Sequence, residues 1–152
     1  MVEEILARIG QVAGLANQLV LVIGPAGTGK TRALRDIAET THYSYLSVGL
    51  ALGEALLDVP PTERPQRVAS SLHDIVRERG PVVLLDNLEI LFEPSLQVDP
   101  LTLLDGLSRS RTIVAAWNGA IVRSTLTYAE RGHPEYRAYP IGQRVVVRMG
   151  DA

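Results

Sequence analysis

Cysteine is absent from the 152 residues, which excludes thiol nucleophiles, disulfide frameworks and thiolate metal sites. Lysine is almost absent: of 15 basic side chains, 14 are arginine and one, Lys30, is lysine. Apolar runs such as Leu19 to Ile23 and Val82 to Leu85 fall far short of the roughly 20 residues of a membrane-spanning helix, so no membrane association is expected. Export is not expected, because Glu3 and Glu4 stand where a secretory leader carries positive charge before its apolar stretch. A cytoplasmic location is the expectation. Internal repeats and Gly/Ser/Pro-rich linkers are also lacking.

What remains is ordinary for a single globular domain. Hydrophobic residues make up 46% of the chain and charged ones 21%, with a net charge of -2, which fits neither a disordered nor a fibrous protein. The length suffices for one core without metal or disulfide staples. Charge is unevenly divided. Residues 1–108 carry 8 basic and 14 acidic side chains, whereas residues 109–152 carry 7 arginines against 3 acids. The basic C-terminal third is either a solvated face or a surface for phosphates, nucleic acid or an acidic partner.

The hydrophobic pattern alternates between two periods. Ile5, Leu6, Ile9, Val12, Ala13 and Ala16 recur at helical spacing and predict an N-terminal helix over 2–17. Leu19 to Ile23 reads as a buried parallel strand, followed by a helix over 31–40 with Ala33, Leu34, Ile37 and Ala38 inward. Tyr43 to Val48 predicts a strand, Leu50 to Leu57 a helix, and Gln66 to Arg79 another between Pro65 and Gly80-Pro81. Val82 to Leu85 is the next strand. Asp99-Pro100 caps a helix to Leu107 that feeds a strand over 112–117. Past Asn118-Gly119 the pattern degrades over 120–142, before a last strand around Val145 to Val147. Such alternation predicts one three-layer α/β domain over 1–152: a nucleotide-binding core at 18–119, then an irregular arginine-containing segment and final strand at 120–149.

The chemistry lies between the first strand and the second helix. Gly24-Pro25-Ala26-Gly27-Thr28-Gly29-Lys30-Thr31 is the phosphate-binding loop, two glycines four residues apart followed by Lys-Thr. A chance match in a chain of this length is of order 1%. Glycines let backbone N–H groups curl around a phosphate, and the following helix, beginning with Lys30, Thr31 and Arg32, adds its positive N-terminus. Lys30 is a compact charge able to bridge the outer phosphates. Thr31 supplies a hydroxyl for Mg²⁺, and Asp86, after the apolar strand Val82 to Leu85, supplies the carboxylate. ATP and Mg²⁺ are therefore the expected cofactors.

Beyond these residues the signals weaken. Asn87 follows Asp86 where many P-loop ATPases carry a glutamate, and an amide orients water without accepting its proton; Glu89 is the nearest spare carboxylate. Asn118 has two readings, a polar sensor of the γ-phosphate at a strand end or half of an Asn-Gly hairpin turn. Arg137, with Arg109, Arg111 and Arg131 as alternatives, is the candidate arginine finger toward a neighbouring subunit. His42, His73 and His133 have no metal-ligand spacing, and Trp117 reads as core or interface.

The GPAGTGKT loop, the segment Val82 to Phe92, the run Leu107 to Thr112 leading to Ala115-Ala116-Trp117-Asn118-Gly119, and Gly132-His133-Pro134-Glu135-Tyr136 resemble the BrxF family. These are the small P-loop components of certain BREX bacteriophage-exclusion systems. The resemblance covers roughly residues 18–148. It implies an AAA+-like P-loop ATPase with a mainly parallel five-stranded sheet and no C-terminal helical lid. It also implies a bacterial or archaeal cytoplasmic setting beside a large P-loop partner, a DNA methyltransferase and a phosphatase-like protein. The residues leave three functions open: a nucleotide-driven assembly or regulatory ATPase forming homo-oligomers, a nucleotide-binding module with little hydrolysis, and a small-molecule or nucleoside kinase. DNA contact, direct through the C-terminal arginines or indirect, is a further expectation.

Overall fold

The computed structural model describes residues 1–129 and 132–150. Five strands, β1 (Leu19–Gly24), β2 (Ser44–Ser47), β3 (Val82–Asp86), β4 (Thr112–Val122) and β7 (Val145–Arg148), form a parallel sheet in the order β2-β3-β4-β1-β7. β1 is buried at all six positions, as its uninterrupted apolar run requires of a strand covered on both faces. Strand alternation divides its side chains. Val20 and Val22 pack with α1 (Val2–Val12) and α2 (Lys30–Thr40). Leu19, Leu21 and Ile23 pack on the other face with α3 (Val48–Ala55), α4 (Arg64–Arg77) and α5 (Pro100–Leu107). The result is the expected three-layer α/β architecture.

The main departures from expectation are three. α1 stops at Val12 rather than continuing to 17, because Ala13 is extended and Gly14 takes a positive φ of 86°. Between β3 and α5 the chain makes two 3-10 turns, Leu88–Phe92 and Pro94–Leu96. The largest correction concerns 120–142. β4 does not end at Trp117 but runs to Val122, and with β5 (Thr125–Tyr128) and β6 (Arg137–Pro140) it forms an antiparallel extension of the sheet. The hairpin turn is Arg123-Ser124, both residues at positive φ (51° and 67°), as a two-residue turn demands. Arg-Ser is a poor signal for that conformation, which is why the pairing was illegible while Asn118-Gly119 looked like the turn. Among the described residues, no helical lid follows the core.

An aromatic cluster ties the hairpin to the core. Phe92 and Tyr128 stack at 3.5 Å, while Trp117 meets Phe92 and Tyr139 edge-on at 5.2 and 6.0 Å. Trp117 is thus a core residue, its indole N–H donating to the Thr127 carbonyl. Burial, helped by the Glu89 and Glu135 charges, pushes the Tyr128 hydroxyl up to about 12, and burial with the Asp99 contact raises Tyr139 as well. Both phenols stay neutral in folded and unfolded chains below pH 10, but above it the unfolded chain ionises first. Stability is therefore expected to fall between about pH 10 and 12, with the tyrosinate absorbance of these two residues appearing only as urea-monitored stability is lost.

Asp99 joins α5 to the hairpin. Its carboxylate caps α5 by accepting from the Thr102 N–H at 3.2 Å and accepts a hydrogen bond from the Tyr139 hydroxyl at 2.6 Å. Burial alone would raise this carboxyl, but the bonds from Thr102 and Tyr139, with the Arg137 charge, outweigh it and hold the group below its ordinary value. Asp99→Ala removes a cap and a cross-link together, and a loss of about 1–2 kcal/mol is expected in chemical denaturation.

Candidate functional site

The parallel strands end on one edge of the sheet, and the loop 25–29 that joins β1 to α2 crosses that edge. Gly27 and Gly29 take φ of 83° and 93°, which curls the loop over the start of α2. Gly24 is required for another reason: a Cβ there would stand 2.6 Å from the Met149 carbonyl oxygen and 2.8 Å from Thr28 Oγ1. The end of β7 is thus packed directly against the loop, with the Met149 N–H donating to the Ile23 carbonyl at 2.8 Å. Nothing in the local sequence marks Met149 for that position.

Lys30 is only 5% exposed. Its ammonium donates to the Gly24 and Pro25 carbonyls at 2.6 Å each and to Thr28 Oγ1 at 3.3 Å. Burial lowers its pKa, an effect that the Asp86 and Glu89 charges partly counter. One residue on, the Thr31 hydroxyl donates to Asp86 Oδ2 at 2.7 Å. Asp86, itself 4% exposed, accepts on the same oxygen from the Tyr45 hydroxyl at 2.6 Å and on Oδ1 from the Asn87 N–H at 2.9 Å. A hydroxyl and a carboxylate side by side at the mouth of the loop are hard oxygen donors, and they fit Mg²⁺.

The remaining candidates separate. Asn87 sits at a left-handed φ of 55°, and its side-chain amide donates to Ser47 Oγ at 2.8 Å. Glu89, on the 3-10 turn Leu88–Phe92, accepts from Asn118 Nδ2 at 2.7 Å. Asn118 is a strand residue paired in register with Gly24, so the reading of Asn118-Gly119 as a turn is corrected and Asn118 faces the loop. Together Lys30, Thr31, Asp86, Asn87, Glu89 and Asn118 line an open cleft of about 770 Å³, which continues along α2 past Arg32 and Arg35.

The arginines proposed as fingers do not join them. Arg137 lies on β6, where its charge acts on Asp99 and Tyr139. Arg111 enters its own chain at the opposite edge of the sheet, donating to the Gly80 carbonyl at 2.7 Å beyond the end of α4; Arg109 is exposed at that edge. Arg131 falls outside the described residues. His42, His73 and His133 stand apart from the cleft. Sequence reasoning missed Tyr45, Ser47 and Arg35, whose signals are an unremarkable strand and a charged helix face.

The family model described as "ATPase family associated with various cellular activities (AAA)" matches residues 20–119. A "Nucleotide-binding protein" of Dinoroseobacter shibae is 31% identical over 98 residues, 64% of this chain and 32% of that protein. The "ATPase family gene 2 protein homolog B" of Bos taurus is 27% identical over 105 residues, 62% of this chain and 14% of that protein. The chain therefore spans about a third and a seventh of these two relatives. Among solved structures, a DNA replication initiation factor has the same fold, with a TM-score of 0.50 at 16% identity over 97% of this chain and 43% of the other. No helix among the described residues is long and apolar enough to cross a membrane.

Proposed function

The chain belongs to the AAA family of ATPases, and from that premise we propose that it binds ATP with Mg²⁺, hydrolyses it slowly, and uses the nucleotide state to govern assembly with further copies or larger subunits. The observation that carries this reading is the convergence of Lys30, Thr31, Asp86, Glu89 and Asn118 on one cleft from four separate elements.

Each side chain has a definable task. The Lys30 ammonium donates to carbonyls of its own loop, and phosphate oxygens are stronger acceptors for it. Thr31 commits its single proton to Asp86, which leaves its oxygen lone pairs free to hold a cation. Bound there, Mg²⁺ would neutralise phosphate charge. Asn87 cannot take a proton from water, which leaves Glu89 as the base. Its Oε1 accepts from Asn118, which orients the carboxylate and leaves Oε2 free to receive a proton. Glu89→Gln is expected to reduce hydrolysis by about 10²-fold or more with ATP affinity unchanged in equilibrium titration.

Arg137 does not line the cleft of its own chain, which supports offering it to the γ-phosphate of a neighbouring copy. The resemblance to BrxF supports a place in a phage-exclusion complex beside a large P-loop partner, with DNA reached indirectly or through the C-terminal arginines. A second reading, nucleotide binding without turnover, is favoured by Asn87, an amide that cannot accept a proton from water. ATP binding and turnover measured across protein concentration separate the two. Turnover per chain that rises with concentration supports the assembling ATPase, binding without turnover at every concentration supports the second reading, and absence of binding overturns both.

A further inference from the structure

We infer that Tyr45 is a positioning residue for Asp86, setting the carboxylate that holds Mg²⁺ through its phenolic hydroxyl; the inference rests on the reading of Asp86 as the magnesium-holding carboxylate. The register of the sheet creates the contact. Tyr45 on β2 stands opposite Leu84 on β3, and Ser47 opposite Asp86. Side chains two apart on a strand share a face, so Asp86 projects on the same side as Leu84 and diagonally from Tyr45. That diagonal is within reach of a tyrosine, and the hydroxyl arrives 2.6 Å from Oδ2. The next residue, Leu46, turns to the other face and is buried against α3.

Three donors fix the carboxylate, and they differ in origin. The Asn87 N–H belongs to the adjoining backbone, and the Thr31 hydroxyl belongs to the helix that carries the phosphate loop. Tyr45 alone among them comes from a strand that contains neither the loop nor Asp86. Its bond to Oδ2 therefore comes from outside the segment that carries the phosphate loop. The ring is held in turn by Arg35, whose guanidinium lies 5.0 Å from its centroid, an attractive geometry for a cation over an aromatic face. Thr31 and Arg35 are four residues apart on α2 and so share a helical face. One face of α2 thus holds both Asp86 and the tyrosine that supports it.

Tyr45→Phe deletes the hydroxyl and leaves the ring beneath Arg35. Loss of one hydrogen bond to a charged group is expected to raise the Mg²⁺ concentration that half-saturates tight nucleotide binding by about five- to tenfold. Binding of a fluorescent ADP analogue without metal is expected to stay at the wild-type value, and the thermal midpoint to fall by no more than a few degrees. Mn²⁺ paramagnetic resonance gives a second readout independent of turnover. Tyr43→Phe, on the same side of the sheet near α2, is the control and leaves the metal dependence unaltered. If Asp86→Ala abolishes the Mg²⁺ dependence while Tyr45→Phe matches wild type, the role of Tyr45 is overturned and the reading of Asp86 stands. If wild type shows no Mg²⁺ dependence, or Asp86→Ala retains it, the reading of Asp86 falls and the inference with it.

Discussion

Lys30→Met is expected to weaken ATP binding by about 10²- to 10³-fold, because two or three charge-assisted hydrogen bonds to phosphate disappear at a site shielded from water. Methionine keeps the length of the stem and its packing, so the loop retains its shape. The fold is expected to be retained. Burial of the Lys30 ammonium depresses its pKa, which means that the unfolded chain holds this proton more firmly than the folded one. Between the depressed folded value and the ordinary 10.5, the unfolded chain binds more protons, and stability gains from rising pH. The contribution is thus a penalty at neutral pH, relieved as pH rises through that window. Methionine carries no such penalty but leaves the Gly24 and Pro25 carbonyls without the ammonium, so the two effects oppose each other and stability at pH 7 in urea is expected within about 2 kcal/mol of wild type. Unchanged ATP affinity in the mutant would remove Lys30 from the site.

Gly119→Ala is expected to cost about 3 kcal/mol or more, at the upper end of overpacking effects. A Cβ on Gly119 would lie 1.9 Å from the Thr127 carbonyl oxygen and 2.9 Å from Trp117 Nε1. Neither neighbour yields cheaply, since the first is backbone of the paired strand β5 and the second is the indole nitrogen that donates to that same carbonyl. Relief requires β4 and β5 to separate. That opens the stack of Phe92 on Tyr128 and moves Asn118, the residue next door, away from Glu89. Denaturant unfolding should show the loss of stability, and nucleotide titration of the still-folded fraction should show a smaller effect on affinity than on turnover. A mutant as stable as wild type would mean that the hairpin is not seated against the sheet.

The phosphate loop was readable because its requirements are local. A strand, a glycine-rich turn and a helix follow one another within about twenty residues, and the lone lysine stands where a phosphate needs it. Asp86 was readable for a similar reason, at the end of an apolar strand. The layers followed from periodicity, since continuous apolar runs specify strands buried on both faces and three- and four-residue stripes specify the covering helices. Asn118 was legible as a candidate but not as a strand residue, because Asn-Gly carries the stronger turn propensity and the actual turn, Arg123-Ser124, carries a weak one. Tertiary pairing overrode local preference there.

Contacts across the chain had no such signature. The sequence by itself determined the fold class, the phosphate loop and the carboxylate beside it, each written in neighbouring residues. Only the tertiary structure decided that Tyr45 meets Asp86 across 41 residues, that Met149 closes on Gly24, that Asn118 holds Glu89 and that Arg111 donates to the Gly80 carbonyl beyond the end of α4. These contacts depend on strand order and register. A one-residue slip of β2 against β3 would turn Tyr45 to the opposite face with no change in the hydrophobic pattern of the motif itself.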